Sequence, residues 1–140
     1  MNRSPLTEIE TTQLISQAEA AWKNAYAPYS HFQVGAALLT DEGKIFTGCN
    51  VENASYGLTV CAERNVIATA IAELGAENLK IKAIAIANNR HVPCSPCGAC
   101  RQVISEFGTD ISIIFLSRDG YQTLILRQLL PQEFSASDMF

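Results

Sequence analysis

The sequence predicts a three-layer α/β/α sandwich built around a mixed sheet of five strands. Two observations support this fold class. Helical stretches alternate with strand-like stretches along the chain, which is typical of a sheet covered by helices. The segment 79–87 is almost entirely apolar, as expected of a strand buried on both faces. The chain has 140 residues, enough for one core, so we expect 1–140 to form a single domain with 135–140 loosely ordered.

The first part of the chain predicts a helix followed by a β-hairpin. Thr7 and Glu10 have the spacing of a capping box, which predicts a helix from about residue 8 to about residue 25. The segments 33–40 and 45–49 predict two antiparallel strands joined by a turn. Small residues dominate the first strand, and this indicates that a helix or a ligand approaches its backbone closely.

The second part of the chain alternates helices with strands. The apolar spacing after Cys61 predicts a helix that ends at Gly75. Ser95 and Pro96 are suited to the N-cap and the first position of the next helix. The elements predicted here are a helix 61–74, a buried strand 79–87, a helix 96–107, a strand 111–116, an edge strand 121–124 and a helical turn 126–130.

Composition and charge argue against several classes of function. The formal net charge is −4 and the ten basic residues are scattered, whereas nucleic-acid binders concentrate basic residues on one face. No apolar run approaches the roughly 20 residues of a membrane span, and residues 1–10 lack the apolar segment of a signal peptide. We therefore expect a cytoplasmic protein with a small-molecule substrate and neither a nucleic-acid nor a membrane partner.

The five cysteines include a cluster with chemical meaning. Their odd number and the reducing cytoplasm favour a metal or catalytic role over disulfides. Cys97 and Cys100 are three residues apart at a predicted helix start, a common zinc half-site. Cys61 also opens a helix, so the positive end of each helix dipole can stabilise thiolates. Glu63 would serve as the base beside such an open site, and Arg64 would donate to the ligand sulfurs.

Other interpretations of the cysteines remain open from the residues alone. A lone Cys-x2-Cys pair also occurs in redox proteins and among buried thiols. Cys94 could complete a closed four-thiolate zinc site, and the 94, 97, 100 spacing is similar to one ferredoxin pattern. None of these alternatives uses Glu63. Cys49 lies on a predicted strand and is expected to be a small core residue.

Two motifs together resemble a known enzyme family. Cys-Ala-Glu-Arg at 61–64 and Pro-Cys-Gly-Ala-Cys-Arg-Gln at 96–102 are similar to the zinc-dependent cytidine deaminases, specifically the small type with three cysteine ligands. The segment 29–38 resembles the first strand of that family, and 48–54 resembles its nucleoside-binding stretch. Leu-Leu-Pro followed by Phe134 resembles its C-terminal element.

The resemblance implies a set of residue roles and a cofactor of one zinc ion per chain. The chain would form a homotetramer with active sites shared between subunits. The implied roles are Cys61, Cys97 and Cys100 as zinc ligands, Glu63 as proton shuttle, Asn50 and Glu52 on the ribose hydroxyls, Ala54 in the same substrate-binding stretch, Phe32 against the pyrimidine, the Ala62 N–H on the base carbonyl, the Ser95 carbonyl at the leaving amino group, Tyr56 at the edge of the site and Phe134 against a neighbouring subunit's site.

The implied reaction is hydrolytic deamination of cytidine and 2′-deoxycytidine to uridine and 2′-deoxyuridine, with release of ammonia, in pyrimidine salvage. A related deaminase of another aminopyrimidine nucleoside is the nearest alternative, and Phe32, Asn50 and Glu52 favour cytidine over it. From a different class, a structural zinc module or an iron–sulfur module would share the cysteines and have no use for Glu63.

Overall fold

The computed structural model describes residues 3–139. The positions 1–2 and 140 of the predicted single domain lie outside the described residues. No helix within 3–139 has the length and apolar character needed to cross a membrane. The main elements are α1 (Glu8–Trp22), β1 (Val34–Thr40), β2 (Ile45–Cys49), α2 (Ala62–Leu74), β3 (Ile81–Asn88), α3 (Gly98–Ser105), β4 (Ser112–Ser117), β5 (Gly120–Ile125) and α4 (Leu126–Leu129).

The five strands form one mixed sheet in the order β2-β1-β3-β4-β5. β1 pairs antiparallel with β2 and β3, β3 pairs parallel with β4, and β4 pairs antiparallel with β5. The crossover between the parallel strands contains α3, as a parallel connection requires. The predicted hairpin and the predicted edge strand are both confirmed.

Helices cover both faces of the sheet, which confirms the three-layer prediction. Alternation along β1 turns Ala37 and Leu39 toward α1, where they join a core with Leu14 and Ala18. The neighbouring positions on β1 face the other way, into the core formed with α2, α3 and α4. β1 and β3 are buried at every position, because both faces of these central strands are covered.

Two glycines let helices approach the hairpin closely, and the one in β1 accounts for the close approach of a helix or ligand that was predicted for the first strand. A Cβ built at Gly35 would lie 2.2 Å from the Ala18 carbonyl oxygen of α1. A Cβ at Gly48 would lie 2.7 Å from the Val66 backbone nitrogen of α2. Real Cβ atoms do not come this near to backbone, so α1 and α2 reach their positions only because no side chain is present.

A β-bulge places one charged side chain under α1. The register between β1 and β3 shifts between Leu39 and Thr40, which leaves Lys82 as the extra residue. Lys82 is only 6% exposed, and its Nζ lies 3.0 and 3.1 Å from the two carboxylate oxygens of Glu10. The buried cation is therefore paired, as burial of a charge requires.

α1 begins at Glu8 as predicted, but it ends at Trp22 instead of near residue 25. The Tyr26 N–H donates to the Asn50 carbonyl, and the Tyr26 carbonyl accepts from the Glu52 N–H. The chain leaves the helix early because Tyr26 pairs with the segment that follows β2.

The prediction that Ser95 caps α3 and that Pro96 starts it is wrong. Cys97 is the N-cap, with extended backbone angles, and the helix begins at Gly98. The Pro96 carbonyl accepts a 2.7 Å hydrogen bond from the Arg101 side chain, so a side chain occupies the acceptor that a helical amide would use.

Cys49 also departs from its predicted place in the core, since it is half-buried at the end of the edge strand β2.

Candidate active site

Three cysteine sulfurs meet where α2 and α3 begin. Cys61 is the N-cap of α2, Cys97 is the N-cap of α3, and Cys100 lies in the first turn of α3. Their sulfurs all lie within 4.8 Å of one another, with 4.0 Å between Cys61 and Cys97 and 3.5 Å between Cys97 and Cys100. A tetrahedral zinc with bonds of about 2.3 Å holds thiolate sulfurs about 3.8 Å apart. The three residues therefore fit a zinc ion.

Both helices begin beside this cluster without a side chain that caps them. Neither Cys61 nor Cys97 makes a side-chain capping hydrogen bond. The first amides of each helix have no intrahelical acceptor, and the positive end of each helix dipole lies beside the sulfurs. Thiolates are stabilised in such a place.

Arg64 adds a positive charge at the same point. Its Nη2 lies 3.8 Å from the Cys61 sulfur and donates to the Thr59 carbonyl at 3.3 Å. The pKa of Cys61 is lowered to about 5, first by its hydrogen bond with Cys100 and also by Arg64. The pKa of Cys100 is raised by its hydrogen bond with Cys61 and by burial. These contacts therefore favour the thiolate form of Cys61.

Glu63 is a buried carboxyl group beside the sulfurs. It is 5% exposed, although it lies in the first turn of a helix. Burial, with a further contribution from the Cys61 thiolate, raises the pKa of Glu63 to about 7. A carboxyl group with a pKa near the working pH can both accept and release protons, which suits general acid–base catalysis.

Glu63 and two of the three clustered cysteines, Cys61 and Cys97, open into a cavity of about 200 Å³. Four residues predicted to bind substrate also line it. The lining residues are Phe32, Val34, Asn50, Thr59, Cys61, Ala62, Glu63, Cys94, Ser95 and Cys97. We refer to this space as the inner cavity.

A second, larger cavity of about 420 Å³ is lined by Tyr29, Ser30, Glu52, Tyr56 and Thr59. We refer to it as the outer cavity. Thr59 lines both cavities, so the two adjoin. Glu52, which was predicted to act beside Asn50, faces the outer cavity instead of the inner one.

Asn50 and Glu52 already have partners within the protein. The Asn50 amide accepts from the Val34 N–H at 2.9 Å and donates to the Phe32 carbonyl at 2.9 Å. The Glu52 carboxylate accepts from the Tyr29 and Ser30 N–H groups and from the Ser30 hydroxyl. The hydrogen bond from that hydroxyl holds the pKa of Glu52 below its usual value, so the outer cavity contains a fixed negative charge.

Three predicted substrate-binding residues lie at the periphery. Ala54 is exposed and lines neither cavity. Tyr56 is 75% exposed, and its ring meets that of Tyr29 edge-on at 5.8 Å. Phe134 is 61% exposed and is held through its carbonyl, which accepts from the Gln102 side chain at 2.8 Å.

Cys94 lies in the cavity wall but outside the sulfur cluster. Within residues 3–139, the group able to hold a metal ion contains Cys61, Cys97 and Cys100. Burial, followed by the charge of Glu63, raises the pKa of Cys94 to about 11, which keeps the thiol protonated. This arrangement favours an open three-sulfur site over a closed four-thiolate site or a cluster on the 94, 97, 100 spacing.

Sequence reasoning missed Val34 and Thr59 as lining residues. Thr59 lies two positions before Cys61, so its place near the start of α2 could have been predicted from the sequence. Val34 was assigned only to a strand, because no sequence signal tells that the first residue of β1 reaches a cavity.

Comparisons with known proteins agree with this geometry. Residues 9–116 match the model of the family described as the cytidine and deoxycytidylate deaminase zinc-binding region. The chain is 43% identical over 133 residues to a cytidine deaminase of Halalkalibacterium halodurans, covering 94% of this chain and 98% of that protein. It is 40% identical over 133 residues to one of Sporosarcina psychrophila, covering 94% and 96%.

Solved structures agree as well. The crystal structure of cytidine deaminase from Burkholderia pseudomallei matches with a TM-score of 0.79 and 46% identity, covering 88% of this chain and 98% of that one. The structure from Mycobacterium tuberculosis matches with a TM-score of 0.75 and 41% identity, covering 88% and 95%. These findings confirm the predicted family and its zinc cofactor. The chain belongs to the zinc-dependent cytidine and deoxycytidylate deaminase family.

Proposed function

We propose that this protein catalyses the hydrolytic deamination of cytidine and 2′-deoxycytidine to uridine and 2′-deoxyuridine, with release of ammonia, and acts in pyrimidine salvage. The observation that carries this proposal is the placement of Glu63. Its carboxyl group is 5% exposed and shares one cavity with Cys61 and Cys97. A structural zinc module has no use for a buried carboxyl group whose pKa is about 7.

Cys61, Cys97 and Cys100 would hold one zinc ion. When bound, zinc lowers the pKa of water and so supplies a nucleophile at neutral pH. Three thiolates would leave the site with a net charge of −1 and weaken this effect. The Arg64 guanidinium beside Cys61 and the two helix N-termini offset part of that negative charge.

Glu63 moves the protons of the reaction. Its carboxylate takes a proton from the attacking water and passes it to N3 of the pyrimidine while oxygen adds to C4. The carboxylate, free again, then takes the remaining proton of the oxygen added at C4 and gives it to the exocyclic amino group, so that the C4–N bond breaks and ammonia leaves. Both transfers are favoured by the raised pKa of the carboxyl group, about 7.

The inner cavity supplies groups for the base. Phe32 offers an apolar surface to the pyrimidine, the Ala62 N–H would bind the base carbonyl, and the Ser95 carbonyl would face the leaving amino group. All three residues line that cavity. The Asn50 side-chain amide hydrogen-bonds to the Phe32 carbonyl and to the Val34 N–H, and so orients the wall of the inner cavity that contains Phe32. One N–H of this amide remains for a hydrogen bond to the sugar.

The outer cavity favours a nucleoside over a nucleotide. Glu52 accepts three hydrogen bonds, and a carboxylate offers about four lone-pair sites, so one remains for a sugar hydroxyl. Among residues 3–139, no Lys, Arg or His lines this cavity, and the fixed charge of Glu52 would repel a phosphate. Of the two substrate classes in the family's description, this supports the uncharged nucleoside.

The assembly would be a homotetramer in which Phe134 reaches a neighbouring active site. Large apolar side chains left exposed on the chain segments that contain the outer-cavity residues support this, since such patches mark interaction surfaces. They are Tyr26, Tyr29, Val51, Tyr56 and Leu58, with Phe134 on the C-terminal segment. Light scattering of the purified protein should give four chains per particle, and a stable monomer with full activity would contradict the shared site.

Residues 1–140 would act as one domain, and Ala54 would lie beside the substrate. The protein would work in a reducing compartment such as the cytoplasm. The three clustered thiols are free of disulfides, and they must stay reduced to hold a metal.

A direct assay tests the proposed function. The zinc-loaded protein should convert cytidine and deoxycytidine with loss of cytidine absorbance, and elemental analysis should give about one zinc per chain. Treatment with a strong chelator should abolish turnover, and added zinc should restore it. A colourless protein that binds zinc and leaves cytidine unchanged would instead support the structural module.

A further inference from the structure

The loop after β3 carries an arginine that contacts the inner cavity wall from outside. Arg90 is exposed, and its guanidinium carbon lies 5.4 Å from the centroid of the Phe32 ring. Its Nη2 donates to the Ser30 carbonyl at 2.9 Å. Within residues 3–139 no carboxylate forms a salt bridge with Arg90, so its charge is directed at the ring face and this one carbonyl.

Ser30 connects the same arginine to the outer cavity. The Ser30 N–H and hydroxyl both donate to the Glu52 carboxylate. The Ser30 hydroxyl also accepts from the Phe32 N–H at 3.0 Å. One short segment therefore links Glu52 of the outer cavity to Phe32 of the inner one, and Arg90 contacts that segment at both Ser30 and Phe32.

The neighbouring residue of the loop fixes the rest of the segment. The Asn89 amide accepts from the Gln33 N–H at 3.0 Å and donates to the His31 carbonyl at 3.1 Å. His31 has a φ of 57°, a left-handed conformation that residues other than glycine rarely adopt. Such a backbone persists only where its surroundings hold it, so the segment depends on the loop after β3.

We propose that Arg90 is a positioning residue for nucleoside binding, which rests on the proposed function of the cavities. The cation occupies one face of the Phe32 ring and does not line the inner cavity. Phe32 is left to present its other face or its edge to the base. Through Ser30, the same guanidinium fixes the distance between the base wall and the Glu52 carboxylate that would hold the sugar.

Kinetics of Arg90→Met test this role. The variant keeps a long side chain and loses both the charge and the hydrogen bond. We expect KM for cytidine to rise about five- to tenfold, with kcat within about twofold of the wild type, because the interaction acts on binding. Arg90→Lys should recover only part of the loss, since an ammonium group lacks the planar fork. Zinc content and melting temperature should not change.

Arg118→Met is the matched control. Arg118 is also an exposed arginine, but it lies in the turn between β4 and β5 and lines neither cavity. It should leave KM and kcat unchanged. An unchanged KM in Arg90→Met would overturn the proposal, provided that the wild type deaminates cytidine. If the wild type has no deaminase activity, the proposed function itself fails.

A double-mutant cycle shows whether Arg90 acts through Phe32. In a Phe32→Leu background the Arg90→Met change should raise KM by clearly less than it does alone, because the two residues share one interaction. If the deaminase activity of Phe32→Leu is too low for kinetics, the same double-mutant cycle can be built from dissociation constants of uridine measured by calorimetry. Fully additive effects in both measurements would contradict a positioning role through the ring.

Discussion

The N-terminus of α1 differs from those of α2 and α3 in how its backbone donors are used. At α1 the Thr7 hydroxyl accepts from the Glu10 N–H at 3.1 Å, and the Glu10 carboxylate accepts from the Thr7 N–H at 3.0 Å. At α2 and α3 the N-cap residues are Cys61 and Cys97, and neither side chain caps its helix. One helix satisfies its own end, whereas the other two leave their ends open.

This difference separates stability from function. Ser, Thr, Asp and Asn are the preferred N-caps, and losing one costs about 1 kcal/mol. A cysteine in that position gives up this stabilisation. The positive ends of two helices instead lie beside one cluster of sulfurs. The following substitutions test the difference, in order of decreasing expected effect.

The largest effect is expected from giving α3 a proper cap. Cys97→Ser removes a ligand and supplies a hydroxyl that can accept from the first amides of the helix. Zinc should fall well below one per chain, and deamination should fall to background. The metal-free variant should nevertheless be more stable than the metal-free wild type, by about 0.5–1 kcal/mol in denaturant unfolding.

Cys94→Ser is the matched control for the loss of a ligand. Cys94 lines the inner cavity outside the three-sulfur group, so this variant should keep one zinc per chain. Loss of zinc here would show that the site is closed by four thiolates. Full activity in Cys97→Ser would remove Cys97 from the site.

Glu63→Gln tests the chemistry at the open end of α2. The amide has the same shape but cannot carry protons, so kcat should fall about 10²- to 10⁴-fold. Zinc content and unfolding should stay as in the wild type. Glu73→Gln, an exposed position near the far end of the same helix, should have no effect on kcat. A kcat equal to that of the wild type in Glu63→Gln would contradict the proposed mechanism.

Thr7→Ala should act on stability alone. Removal of the cap at α1 should lower the free energy of unfolding by about 1 kcal/mol, with KM and kcat unchanged. Thr12→Ala lies on the exposed side of the same helix and makes the same chemical change away from the cap. It should cost clearly less. Equal losses in the two variants would mean that the capping box contributes nothing.

The smallest effect is the pH dependence of the same cap. The pKa of Glu10 is lowered first by the hydrogen bond from the Thr7 backbone and then by Lys82. A depressed carboxyl pKa adds stability above the unfolded-state value, about 4.3, and this stability is lost as the pH falls through the folded-state value. The stability gap between the wild type and Glu10→Gln should therefore be widest above about pH 5 and narrow in acid.

Unfolding followed at a series of pH values from neutral to acid measures this gap. Glu8→Gln is the control, because Glu8 lies in the same first turn and its side chain makes no hydrogen bond within residues 3–139. It should leave the acid limb of the stability curve unchanged. A gap between Glu10→Gln and the wild type that is constant with pH would contradict the role of the charge.

The sequence was sufficient for features that depend on neighbouring residues. The capping box at Thr7 and the helix start after Cys61 are read from spacings of three or four residues, and both match the structure. The three-layer fold also follows from local patterns, because the period of the apolar residues shows which faces are covered.

Long-range contacts account for what the sequence did not predict. Ser95 and Pro96 have the composition of a helix start, but the Arg101 side chain bonds both the Pro96 carbonyl and the Leu129 carbonyl. That tertiary contact overrides the local signal. Likewise, 58 residues separate Arg90 from Phe32 in the chain, and only the fold brings them together.

Gly48 shows that a site can be sensitive to a position that does not line it. No side chain fits between Gly48 and the backbone of Val66, so a methyl group there would push α2 away from the hairpin. α2 carries Cys61 and Glu63 at its first turn. The displacement would change how far Glu63 lies from the Cys97 and Cys100 sulfurs of α3, so directed-evolution libraries aimed at new substrates should leave Gly48 fixed and vary the loops instead.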